Sequence, residues 1–115
     1  MRTIVTKSCL LIFALIASTG IASAQDADLV KKGEAVYAAQ KCSVCHSIAG
    51  KGSKVSPLDG VGKKLSAEDT RHWIVSPVEA AAKAKSTKKP PMPAKYGKLP
   101  AADIDALVAY MQSLK

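Results

Sequence analysis

The chain has 115 residues, with seventeen basic against nine acidic side chains and a formal net charge of +8. That length excludes a multidomain enzyme with a large core. Only Phe13, Tyr37, Trp73, Tyr96 and Tyr110 are aromatic, so an apolar group from outside the chain would help to complete a core this poor in rings.

The N-terminus places Arg2 and Lys7 ahead of an apolar run from Cys9 to Ala17, followed by Ala22-Ser23-Ala24. A basic start, a short apolar stretch and an A-x-A site form a cleavable export signal over residues 1–24. Ser18, Thr19 and Gly20 interrupt the run well short of the roughly 18 apolar residues that span a bilayer, so no transmembrane anchor is expected after cleavage. Cys9 precedes most of the apolar run and leaves with the signal. The mature domain is then 25–115, periplasmic or otherwise exported, with Cys42 and Cys45 as its cysteines and a formal charge of +6 once Arg2 and Lys7 are gone. In that setting a basic balance suits acidic protein partners or anionic surfaces, not nucleic acid.

The remaining pattern is helical. Leu29, Gly33, Val36, Tyr37 and Gln40 recur at spacings of three and four, which predicts an amphipathic helix over about 27–41. Ser66-Ala67-Glu68-Asp69 has the form of a capping box and opens a helix through Trp73 and Val75. Ser76-Pro77-Val78-Glu79 repeats the signal, with Pro at the first helical position, and starts a helix to about Lys85. Ile104, Leu107, Val108, Met111 and Leu114 form an apolar stripe over 100–114. No stretch alternates with a period of two, so no sheet is predicted. The loops between the helices are AGKGSKVSPLDGVG and the proline-stiffened KKPPMPAKYGKLP.

The segment Lys41-Cys42-Ser43-Val44-Cys45-His46-Ser47 carries the chemistry. A paired dithiol could be a disulfide. A redox-active C-x-x-C belongs near a strand-helix-strand unit, which this pattern lacks. A structural zinc site needs about four ligands, and beyond Cys42, Cys45 and His46 only His72 could serve. C-x-x-C-H remains as a c-type haem attachment site. There the two thiols add to the two vinyl groups, and the following histidine supplies the proximal imidazole.

With GEAVY ahead of CSVCH, Pro57 eleven residues after His46, Met92 in a Pro-rich loop and the terminal LVAYMQSLK, the chain resembles a small class I monohaem cytochrome c over its whole mature length. The resemblance implies an all-α fold of four to five helices around one covalent haem c. It also implies that the first and last helices cross at Gly33 beside Tyr110. A sixth iron ligand is implied too. Met92 suits it, because Pro90, Pro91 and Pro93 fix φ around the sulfur and limit the entropy lost on presentation. Met111 falls on the buried stripe and fills core, and His72 is the rival ligand. By the same resemblance Pro57 offers its carbonyl to the proximal imidazole, Leu58 touches the haem edge, and Trp73 donates its indole N–H to a propionate or, equally, to a main-chain carbonyl.

The function implied is one-electron transfer between redox proteins by a monomer, with His/Met ligation leaving no open iron position for substrate. Two other readings stand beside it: a haem enzyme or gas-binding cytochrome with an open sixth position, and a cytochrome subunit of a larger oxidoreductase. Lys83, Lys85, Lys88, Lys89, Lys95 and Lys98 bracket Met92 with no acidic residue between Glu79 and Asp103, which suits docking to an acidic surface.

Overall fold

The computed structural model describes residues 21–115. The basic start, the apolar run with Cys9 and most of the expected export signal lie outside the described residues. Among the described residues no helix is long and apolar enough to cross a membrane.

Among the described residues five α-helices make up the frame: α1 (Ile21–Ala39), α2 (Val61–Lys64), α3 (Ala67–Val75), α4 (Pro77–Lys83) and α5 (Ala101–Ser113). Single 3-10 turns cover Cys42–Val44 and Ala94–Lys98. The all-α expectation holds, with one correction. A three-stranded sheet in the order β2-β1-β3 joins β1 (His46–Ile48), β2 (Lys51–Gly52) and β3 (Ser56–Pro57). The β1–β2 pair is antiparallel, with Ser47 opposite Gly52, and the β1–β3 pair is parallel, with His46 opposite Ser56. Strands of two or three residues are too short to display alternation, which is why no period of two betrays them.

Helix α1 crosses α5 at Gly33. A Cβ on Gly33 would run into the Ala106 carbonyl oxygen and stand 2.6 Å from the Tyr110 Cβ, so only glycine lets the two backbones meet. That close approach outweighs the roughly 1 kcal/mol that glycine costs inside a helix. Beside the crossing the rings of Tyr37 and Tyr110 meet edge to face, with centroids 5.7 Å apart and planes at 73°. The stripe on α5 packs as its spacing dictates: Ile104, Leu107 and Val108 join Ile74 of α3 in the core, and Met111 is buried alongside. Val36, Tyr37, Tyr96 and Leu99 close its margin.

The helix ends follow local chemistry. Ser66 caps α3, its hydroxyl oxygen accepting from the Asp69 N–H at 3.0 Å and its O–H donating to the Asp69 carboxylate. Ser76 makes no such cap. It also terminates α3, with its N–H on the His72 carbonyl at 2.8 Å, so α4 starts instead on Pro77 at its first turn. Glu79, the other half of that expected box, faces His72 Nε2 at 3.5 Å. Helix α4 stops at Lys83, two residues before the periodicity suggests, because Lys85 turns left-handed at φ 51°. The Ser86 N–H reaches Ala81 O and the Lys85 N–H reaches Ala82 O, a Schellman ending made without glycine.

Candidate cofactor site

Helix α1 delivers the chain into the Cys42–Val44 turn through Lys41, which is left-handed at φ 56°. Backbone bonds from Val44 N to Lys41 O and from Cys45 N to Cys42 O, both 3.1 Å, close the turn and bring Cys42, Cys45 and His46 onto one short stretch. Cys42 and Cys45 are both half-buried. Burial pushes the Cys42 thiol up.

His46 is fixed by the sheet. Its Nδ1 lies 2.9 Å from the Ser56 carbonyl oxygen, the residue opposite it in the β1–β3 pair. Only a protonated Nδ1 can donate to that carbonyl, which leaves the lone pair on Nε2 for a metal. The acceptor corrects one expectation: Pro57 is not the residue whose carbonyl takes this bond, since the parallel register sets Pro57 opposite Ser47 and hands the role to Ser56. Leu58, half-buried, donates its N–H to the Ser47 carbonyl at 2.8 Å and so holds this segment to β1.

Two residues that the sequence reading did not single out support the same stretch. A Cβ on Gly52, at φ 105°, would collide with the His46 carbonyl oxygen and stand 3.0 Å from that of Ser43. The Ser53 N–H bonds Ser43 O at 2.9 Å. The available signal was a glycine six residues after His46 in a Gly- and Lys-containing loop, but many loop glycines share it.

Met92 is half-buried in the segment between α4 and the Ala94–Lys98 turn. That turn is anchored beyond it: Tyr96 packs on the core, and Gly97 runs so close to α3 that a Cβ would stand 2.6 Å from the Val75 carbonyl oxygen. Trp73 on α3 is half-buried, and among the described residues its indole donates no hydrogen bond. His72 turns toward Glu79 and lines a shallow hollow of about 460 Å³ with Arg71, Val75 and Lys83. A second hollow of about 450 Å³ lies against Tyr37, Tyr110 and Ile48. Neither hollow is lined by Cys42, Cys45, His46 or Met92.

The donor set suits a covalently held haem. Two thiols three residues apart precede an imidazole whose outer nitrogen is kept unprotonated by a main-chain acceptor. No cluster of three His, Cys, Asp or Glu side chains that could hold a metal ion occurs among the described residues.

Comparison with known proteins agrees with this chemistry. Neither the curated proteins nor the solved structures compared with the chain gave a match. The family model for cytochrome c matches residues 30–115, which take in the C-x-x-C-H stretch, the sheet behind His46 and every helix from α2 to α5. The chain therefore belongs to the cytochrome c family, and one covalently bound haem c is its cofactor.

Proposed function

We propose that this haem-c electron-transfer protein is a monomeric one-electron carrier shuttling between redox proteins in an exported compartment, with Cys42 and Cys45 as the thioether residues, His46 as proximal ligand and Met92 as distal ligand. When bound, the haem iron supplies a couple between ferrous and ferric states. The observation that carries the reading is the 2.9 Å contact between His46 Nδ1 and the Ser56 carbonyl, which sets the tautomer and turn of the imidazole and raises its basicity.

Further support comes from the remaining residues. Met92 sits between Pro91 and Pro93, and the chain after it is pinned through Tyr96 and Gly97. His72, the rival ligand, is engaged with Glu79. Pro57 and Leu58 follow the carbonyl that holds His46, a position from which they would line the proximal edge of the cofactor, and Trp73 has an indole N–H to offer a propionate. The export pattern over residues 1–24 supports a periplasmic or otherwise exported location and a mature domain over 25–115. Six exposed lysines around Met92 support acidic docking surfaces on the partners.

The test uses the reduced holoprotein and carbon monoxide. The wild type is expected to exclude the gas, and Met92→Ala to bind it while mass spectrometry shows the haem still attached. Ready binding by the wild type would instead make the chain a gas-binding cytochrome or haem enzyme with an open sixth position. N-terminal sequencing of holoprotein from the native host should begin at Gln25.

A further inference from the structure

We propose that Lys88 is a positioning residue, whose ammonium ties the segment carrying Met92 to the segment behind His46 and so keeps the distal sulfur in place. This rests on reading Met92 as the distal ligand. Lys88 Nζ donates to the Val55 carbonyl at 3.1 Å, joining positions 33 residues apart. The next carbonyl along, that of Ser56, accepts from His46 Nδ1 at 2.9 Å. Consecutive main-chain oxygens of one short segment therefore serve the proximal imidazole and the distal loop.

The rest of the distal segment has little else to hold it. Residues 84–91 are exposed throughout, and the Lys88 N–H makes only a local bond to Ser86 Oγ at 3.4 Å. Among the described residues, the Lys88–Val55 bond is the one side-chain hydrogen bond from 84–93 to another part of the chain. Downstream, Tyr96 and Gly97 anchor the turn after Met92. Met92 thus lies between a packed anchor and a single polar tie. Pro90 and Pro91, between Lys88 and Met92, restrict both their own φ and the residue before each, so a displacement at Lys88 reaches Met92 with little slack. The ammonium is a charged donor on a neutral acceptor, the stronger kind of hydrogen bond, although solvent exposure weakens it.

The experiment compares Lys88→Met, Lys88→Arg, Lys89→Met and Met92→Ala in the oxidised holoprotein. One readout is the rate of binding of imidazole, a neutral probe of the sixth position. The other is amide hydrogen exchange over 84–93, which does not depend on the iron. Lys88→Met is expected to speed both by about fivefold, the size of a partly exposed charged hydrogen bond. Lys88→Arg should restore them, and Lys89→Met, which removes the same charge next door, should leave both unchanged. If Lys88→Met and Lys89→Met behave alike in both readouts, the tie is overturned. If Met92→Ala speeds imidazole binding and Lys88→Met does not, the positioning role alone fails. If Met92→Ala leaves imidazole binding at the wild-type rate, Met92 is not the ligand and the positioning role falls with it.

Discussion

Gly52 lies against the main-chain carbonyl of His46 so closely that the two leave no room for a Cβ. The contact fixes the exit of the C-x-x-C-H stretch from the other side of β1 than the Ser56 bond does. Gly52→Ala must displace β1 or β2 and also hold alanine at φ 105°, a region rarely open to a side chain. The expected cost is about 3 kcal/mol of holoprotein stability, with a changed haem spectrum, against about 1 kcal/mol and an unchanged spectrum for Gly50→Ala. Gly50 also has positive φ, but open space where its Cβ would lie. Denaturant titrations of both variants, followed by haem absorbance, check this. Equal losses would show that backbone strain alone matters and that Gly52 does not position His46.

That contrast shows what kind of information the sequence displays. The cap at Ser66 and the α5 stripe were legible because each is local: an acceptor three residues before an acid, and a spacing of three and four; the crossing at Gly33 joins the first and last helices and came only from the family resemblance. The C-x-x-C-H stretch was legible because its chemistry dictates its spacing. The sheet was not, since its register comes from backbone bonds over two or three residues that impose no side-chain pattern. For the same reason the acceptor for His46 was assigned to Pro57 and proved to be Ser56: any residue owns a carbonyl, and only the register decides which one faces the imidazole. Ser76 carried a valid capping motif, but the end of α3 had already claimed its backbone.

A pH dependence follows from Tyr37. Its hydroxyl is buried without a hydrogen-bond partner among the described residues. Burial pushes the phenol up from 10.0 to about 12. A group whose pKa is raised by folding contributes stability that is whole below the unfolded value and is lost as pH rises through the folded one. Stability should therefore decline between about pH 10 and pH 12. Discounted for the partial exposure of the ring, the loss is roughly 1 kcal/mol. Tyr37→Phe should flatten most of that slope and, by deleting an unpaired hydroxyl, raise stability slightly at pH 7. Tyr110, also raised by burial, keeps a remainder of the slope. Urea titrations at pH 7, 10 and 12 give the answer, and an identical slope in both proteins would refute it.

Removing the two proposed attachment residues tests how far the cofactor completes the core. The central buried cluster consists of Ile74, Ile104, Leu107 and Val108, with partly exposed side chains around it. Small domains with so little apolar burial are marginal without a staple. Cys42→Ala combined with Cys45→Ala is expected to abolish covalent haem, seen as the loss of the haem mass from the intact protein. Cooperative thermal unfolding should disappear with it. A haem-free double variant that melts cooperatively at the wild-type temperature would show that the helices suffice.

The lysines around Met92 offer the last test. Lys83, Lys85, Lys88, Lys89, Lys95 and Lys98 are all exposed. Three already have local work: Lys83 pairs with the Asp69 carboxylate at 3.9 Å, Lys88 bonds the Val55 carbonyl, and Lys95 lies over the Tyr96 ring at 5.2 Å from its centroid. Lys89 and Lys98 therefore separate docking from architecture better than Lys88 does. Long-range attraction speeds encounter without requiring a tight, slowly released complex, which suits a carrier that must leave its partner after one electron. Because screening shortens from about 10 Å at 0.1 M salt to about 3 Å at 1 M, second-order transfer to an acidic partner should drop at least about tenfold over that range. Lys89→Glu with Lys98→Glu should slow transfer at low salt, leave the haem spectrum unchanged and converge with the wild type at high salt. Stopped-flow rates across an ionic-strength series measure all three. A rate indifferent to both salt and charge reversal would make these lysines ordinary solvated side chains and the docking face an uncharged one.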